Sequence, residues 1–155
     1  MAYYYNTEFK RECLGRGISS LDTFETDPKD YLGKTKVTYG EDKIKDSIYT
    51  ILSTREGERF FQPEFGSKLY KTLFEPNELI SRDLMAMYTK EALQKWEKRI
   101  TVNAVEVDKE IKDNIVEIKI FYSIRNSNIQ GNYVYPFNLN SEGIIDTVDF
   151  IDFTI

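Results

Sequence analysis

The sequence predicts an α+β fold, with helices packed on a small antiparallel β-meander. Two observations carry this. Apolar residues recur at helical spacing through the first two thirds of the chain, at Ile44, Ile48, Ile51 and Leu52 and again at Leu84, Tyr88, Ala92 and Trp96. The period then drops to two, with Val116, Ile118, Ile120, Tyr122 and Ile124 alternating with Glu117, Lys119, Phe121 and Ser123. Helices followed by strands is the pattern of an α+β domain. At 155 residues the chain is expected to be one domain with extensions: an N-terminal arm over 1–40, an α+β domain over 41–140 and a tail over 141–155.

In residues 1–40 the aromatics Tyr3, Tyr4, Tyr5, Phe9, Phe24, Tyr31 and Tyr39 follow neither period, and Gly15, Gly17, Pro28 and Gly33 punctuate them. An extended arm with aromatic anchors is expected, since aromatic-rich segments are poor candidates for disorder. A first helix is predicted over 41–54. Gly57 then redirects the chain.

A short helical turn is predicted over Ser67–Leu73. The longest helix follows, capped by Asn77 or Ser81 and ending near Glu97. Its expected core ridge is Leu84, Tyr88, Ala92 and Trp96, flanked by Ile80, Met87 and Leu93. Thr101–Asp108 is strand-like, with a slip at Ala104-Val105 that predicts either a bulge or a strand covered on both faces. Tyr133, Tyr135 and Phe137 make a third strand. Pro136 cannot donate to a ladder, which places that strand at an edge.

The tail, Ser141–Ile155, holds Glu142, Asp146, Asp149 and Asp152 but no Lys or Arg, with apolar groups that include Phe150 and Phe153. It is expected to add as a strand to another sheet, in this chain or in a partner.

Composition excludes several functions. A net charge of −5, with Lys34 and Lys36 isolated, argues against nucleic-acid binding. There is no His, which removes the commonest general base and neutral metal ligand. Cys13 is alone, so no internal disulfide forms and no Cys–His pair exists. No phosphate-binding glycine loop occurs, and Asp146, Asp149 and Asp152 do not follow a calcium loop. Neither a signal peptide nor a membrane-spanning run is expected. The 11 Tyr, 10 Phe and 1 Trp suit either a ring-filled small core or an assembly interface, and composition leaves both open.

The densest stretch is Ile51–Leu69, closing at Leu73-Phe74-Glu75-Pro76-Asn77. Gly57, Gly66, Pro63 and Pro76 have special backbone needs, and Phe60, Phe61 and Phe65 are interleaved with Arg55, Glu58, Arg59 and Glu64. A shaped, partly buried loop between two helices is expected. The flanking cations Arg55, Arg59 and Lys68 offer ion pairs to Glu58 and Glu64. Glu58, Glu64 and Glu75, near Phe60, Phe65 and Phe74, also raise a glycosidase reading, which needs two carboxylates across one cleft and one raised pKa. Glu97 and Arg99 mark the junction of the long helix and the first strand. From spacing alone they suit a solvated helix end, so that Arg99→Ala is expected to leave the fold intact.

The segments I-L-x-T-x-x-G-E-R at 51–59, P-E-F-G-S-x-L at 63–69, L-F-E-P-N at 73–77 and W-E-K-R-I at 96–100 resemble, in this order, the baseplate wedge and sheath-initiator family of contractile phage tails, to which a component of type VI secretion baseplates is related. The resemblance covers roughly residues 41–125. Lys98 stands where the family usually has proline. The resemblance implies a structural subunit present in several copies in a ring, located in the virion's tail baseplate and assembled in the host cytoplasm. It implies other wedge subunits and the tail sheath protein as partners. The residues themselves lead to no enzymatic activity and no cofactor or metal being expected, although proteins of this family are often labelled lysozyme-like, which keeps a tail-associated glycan hydrolase as the alternative. The partner-binding residues expected from the resemblance are Arg55, Glu58, Arg59, Glu64 and Phe65 in the loop and Glu97 and Arg99 at the junction; Phe150 and Phe153 in the tail join them on the tail's own composition.

Overall fold

The computed structural model describes residues 14–19, 37–74, 78–108, 114–125 and 129–139. Most of the arm, residues 109–113 and the whole tail, with Phe150 and Phe153, lie outside them.

The described part of the arm is paired with itself. Strand β1 (Arg16–Ile18) runs antiparallel to β2 (Val37–Tyr39), with Gly17 opposite Thr38. Helix α1 (Gly40–Ser53) follows directly. Glu41 and Asp42 in its first turn complement the helix dipole. Its large buried apolar residues Ile44, Ile48, Ile51 and Leu52 are those the helical spacing predicts. A 3-10 turn over Leu69–Phe74 buries Leu69 and Thr72, and the Thr72 hydroxyl donates to the Leu69 carbonyl at 2.7 Å.

Helix α2 (Glu78–Trp96) packs on β3 (Ile100–Val107), the 3-10 turn and α1. Its buried face differs from the predicted ridge. Met85, Thr89, Ala92 and Leu93 are buried, whereas Ile80 and Met87 are half exposed. Leu84, Tyr88 and Trp96 lie at the boundary. The reason is that α2 carries apolar residues on most of its circumference. Packing partners, not the pattern, then choose the face. Asn77 lies outside the described residues. Ser81 sits inside α2 and donates to the Thr72 carbonyl at 3.4 Å.

The sheet has the order β3-β4-β5, with β4 (Ile115–Ile124) central and β5 (Gln130–Asn138) at one edge. Pro136 sits on that edge strand, opposite Glu117, as its missing donor requires. On β4 the five alternating residues Val116 to Ile124 all point inward and are buried. The predicted slip in β3 is a register shift between Val102 and Ala104. It has a packing purpose. Plain alternation from Val102 would turn Val105 and Val107 outward; the extra residue returns both to the core face, opposite Ile120 and Ile118. One core results, with α1 and α2 on one side and the inner face of the sheet on the other. Fully burying residues such as Ile118 and Ile120 stabilises the fold by roughly 1.5–3 kcal/mol each.

Candidate interaction site

The loop after α1 is closed by its own backbone. Ser67 N–H donates to the Thr54 carbonyl at 2.9 Å, and Glu56 N–H donates to the Ser67 carbonyl at 3.1 Å. The Ser67 hydroxyl adds a bond to the Leu52 carbonyl at 3.0 Å. Within the loop, Gly57 N–H reaches the Pro63 carbonyl at 2.7 Å and Phe65 N–H the Gln62 carbonyl at 3.0 Å. Gly66 makes the closure possible. Its φ is +111°, and a Cβ there would lie 2.4 Å from the Thr54 carbonyl oxygen.

The loop's side chains sort into two sets. Phe65 turns inward, 5.1 Å from Trp96 between ring centroids, and the Arg59 guanidinium lies 3.9 Å from the Phe65 centroid. Phe60 and Phe61 turn outward. They stack edge to face at 5.2 Å and are 91% and 95% exposed. Two phenyl rings on a closed loop are the most exposed large apolar groups among the described residues. Sequence reasoning placed Phe65 at the interface. The glycines and prolines that shape the loop gave no means of telling which ring faces the body.

The expected ion pairs are rearranged. The Arg55 guanidinium lies over the Tyr70 ring at 5.7 Å, and Glu58 instead accepts the Arg55 backbone N–H at 2.9 Å. Glu64 pairs with Lys95 of α2 at 3.3 Å. Lys68 pairs with Glu91 at 3.0 Å and approaches Glu56 at 4.0 Å; Lys71 holds Glu56 at 3.2 Å. Weakly hydrated, planar guanidinium groups settle on rings, leaving the carboxylates to lysines and amides. The hydrogen bond and charge of Glu91, then the charge of Glu56, hold Lys68 above the usual lysine range. Glu56, Glu64 and Glu91 therefore line their shared depression beside Trp96 as paired groups. A glycosidase acid needs the opposite, a carboxyl isolated in an apolar setting.

The α2–β3 junction is not a solvated helix end. Glu97 is 3% exposed. Its Oε1 accepts Arg99 Nε–H at 2.7 Å and Arg99 backbone N–H at 3.1 Å, and its Oε2 accepts Arg99 Nη2–H. Ser47 of α1 adds a further hydrogen bond. Burial alone pushes the Glu97 carboxyl up, but the Arg99 and Ser47 hydrogen bonds and the Arg99 charge together hold it below the usual carboxylate range. The hydrogen bond from Glu97 raises Arg99 in turn, against the opposing effect of burial. Arg99 Nη1 donates at 2.6 Å to the Leu14 carbonyl. Arg99 is therefore a partly buried fork and not an exposed charge, which overturns the expectation that its removal is nearly free. Lys98, exposed, caps the α2 end by donating to the Gln94 carbonyl at 3.0 Å.

The end of α2 joins the two halves of the site: Trp96 packs on Phe65 of the loop, and Glu97, the next residue, bonds Ser47 of α1 and Arg99. The predicted residues Arg55, Glu58, Arg59, Glu64 and Phe65 thus lie on one closed loop, and Glu97 and Arg99 pair with each other at the α2–β3 junction.

Comparison with known proteins covers this same region. The profile of the family "Baseplate wedge protein gp25" matches residues 38–129, more than half of the chain. The Baseplate wedge protein gp25 of Enterobacteria phage T4 is 35% identical over 81 residues, 52% of this chain and 61% of that protein, so the chain spans less than two thirds of that relative. A crystal structure from Geobacter sulfurreducens, described as a tail lysozyme, aligns at a TM-score of 0.64 and 33% identity over 70% of this chain and 99% of its own. A chain of the anti-feeding prophage baseplate aligns at a TM-score of 0.57 over 87% of this chain and 94% of its own; at 13% identity this likeness speaks to the fold alone. The closed loop, the long helix, the Glu97–Arg99 junction and the first two strands of the meander all fall inside the matched residues, and the chain belongs to the Baseplate wedge protein gp25 family.

Proposed function

We propose that this chain is a structural wedge subunit of a contractile-tail baseplate, present in several copies around the tail, and that it connects the wedge to the tail sheath and templates the first sheath ring. The observation that carries the reading is the family match across the closed loop and junction, joined to the outward Phe60–Phe61 pair that the loop holds rigid. Two desolvable rings on a pre-shaped loop are a low-entropy anchor for a partner, with Glu58, Arg59 and Glu64 as its polar rim and Arg55 holding the base on Tyr70. β3 and β5 are the edges of the sheet among the described residues, which suits strand addition by sheath or by neighbouring chains. The acidic tail with Phe150 and Phe153 is proposed to pair in the same way in a partner. Assembly would occur in the host cytoplasm and end in the virion's baseplate.

The second reading is a tail-associated glycan hydrolase, favoured by the description of the Geobacter sulfurreducens structure. Against it, Glu58 is engaged by an amide and Glu64 by a lysine. Two experiments separate the readings. Baseplates assembled without this chain should recruit no sheath, and chain lacking Asp146–Ile155 should restore recruitment poorly. Hydrolysis of purified peptidoglycan by the folded chain, abolished by Glu58→Gln or Glu64→Gln, would overturn the structural reading.

A further inference from the structure

β1 has little apolar hold on the body. Arg16 and Ile18 face solvent, with Ile18 62% exposed, and Leu14 is only partly buried. A two-stranded ladder three residues long is marginal by itself. Two cations supply what is missing, and both grip main-chain carbonyls. Arg99 Nη1 donates to the Leu14 carbonyl at 2.6 Å, at one end. Lys43 Nζ donates to the Ile18 carbonyl at 2.7 Å, at the other. Each cation is held from behind by a buried carboxylate: Glu97, 3% exposed, and Asp46, 2% exposed and 3.5 Å from Lys43 Nζ. Thr38 completes the second group: its hydroxyl donates to Asp46 at 2.7 Å and lies 3.4 Å from the Gly17 carbonyl oxygen.

The sequence of β1 is fitted to this grip. A Cβ at Gly17 would lie 2.8 Å from Lys43 Cε, and one at Gly15 would lie 3.1 Å from Arg99 Nη1. Glycine at both places leaves the cations room to reach the backbone. Burying two carboxylates is costly unless their charge is used. Here both are used in the same way, on opposite ends of one short strand.

We propose that Glu97–Arg99 and Asp46–Lys43 form a two-ended main-chain docking site for Leu14–Ile18, and that in the wedge Arg99 is a positioning residue. It fixes the position of Leu14 and β1 on the body, and it acts on partners through the placement of that strand. The docking stands on the geometry; its consequence for assembly rests on the wedge reading above.

Amide exchange on the full-length protein tests the docking directly. Arg99→Lys keeps a charge beside Glu97 but loses the fork that spans to Leu14. Lys43→Met keeps the stem and loses the donor. Each should speed exchange across Arg16–Ile18 and Val37–Tyr39 by about tenfold or more, while α2 and β4 keep their rates. Gly17→Ala spares both carboxylates and should reproduce Lys43→Met, and combining the two should add little. Unchanged β1 exchange in all three single variants would overturn the docking. For the assembly consequence, incorporation into baseplates should fall in Lys43→Met as it does in Arg99→Lys, although Lys43 lies at the far end of β1. If Arg99→Lys alone lowers incorporation, Arg99 touches a partner directly and the positioning role is overturned. A parent chain that enters no baseplate would sink the wedge reading instead, with the exchange result still deciding the docking.

Discussion

The Arg59 guanidinium lies 3.9 Å from the centroid of the Phe65 ring, whose other neighbour is Trp96 at 5.1 Å. Lys95 lies 4.8 Å over the opposite partner, Trp96, so cation, ring, ring and cation form one stack that seats the loop on α2. Trp96 is the only tryptophan in the chain, so its emission reports this stack. Phe65→Ala should destabilise the protein by about 2 kcal/mol, less than a fully buried Phe because the ring is half covered. Its native-state emission should shift to the red. Arg59→Ala should cost only about 0.5–1 kcal/mol. Equal stability of Phe65→Ala and parent in urea would refute the seating role.

Gly66 closes the loop behind that stack. Gly66→Ala combines a left-handed φ with a methyl group 2.4 Å from the Thr54 carbonyl oxygen, the acceptor of the Ser67 amide. The backbone itself is in the way, so no side-chain movement relieves it. A loss of roughly 3 kcal/mol or more is expected, from strain plus the broken bridge. Urea melts give the magnitude, and a loss under about 1 kcal/mol would mean the loop can close by another route.

Much of this was legible in the sequence because one element decided it at a time. The helical period of α1 and the two-residue period of β4 each place one face inward, and both held residue by residue. Pro136 marked its strand as an edge by a missing donor, and the slip at Ala104-Val105 marked the bulge. What failed depends on contacts between distant segments. Ile80 and Met87 looked like core residues, but on a helix apolar all round the face is chosen by β3 and the 3-10 turn. Glu97 looked like a solvated charge; Ser47 and the Leu14 carbonyl, which give it and Arg99 their partners, are far away, Leu14 by 85 residues. The inward turn of Phe65 and the outward turn of Phe60 and Phe61 likewise follow from loop closure, which no local period encodes.

The buried junction sets a pH signature. Glu97 holds its proton less tightly in the fold than the ordinary value of 4.5, so its ionised form stabilises the native state. That contribution is fully present above the unfolded value and is lost as pH falls from about 4.5 through the lower folded value. Glu97→Gln should therefore be less stable than the parent by about 2 kcal/mol near neutral pH, with the gap narrowing in acid. Arg99→Ala should cost about 2–3 kcal/mol, below the usual figure for a fully buried pair because water reaches part of Arg99. Denaturant melts at several pH values check both, and a parent–Gln gap that stays constant into acid would show that the charge of Glu97 contributes nothing.

The exposed ring pair separates fold from assembly. Phe60 and Phe61 touch each other and little else, so Phe60→Ser or Phe61→Ser should change monomer stability by no more than about 0.5 kcal/mol. Phe65→Ser, one loop face away, should melt early because its ring is packed on Trp96. At an interface the order reverses. Truncating an aromatic anchor costs roughly 2 kcal/mol or more of binding, about thirtyfold in affinity. Calorimetric melts of the monomers and incorporation of the same variants into baseplates give the two readouts. Serine variants of Phe60 and Phe61 that melt like the parent and assemble like the parent would remove the loop tip from the wedge interface. Normal melting with failed assembly would place it there, since no other change in the monomer would account for the loss.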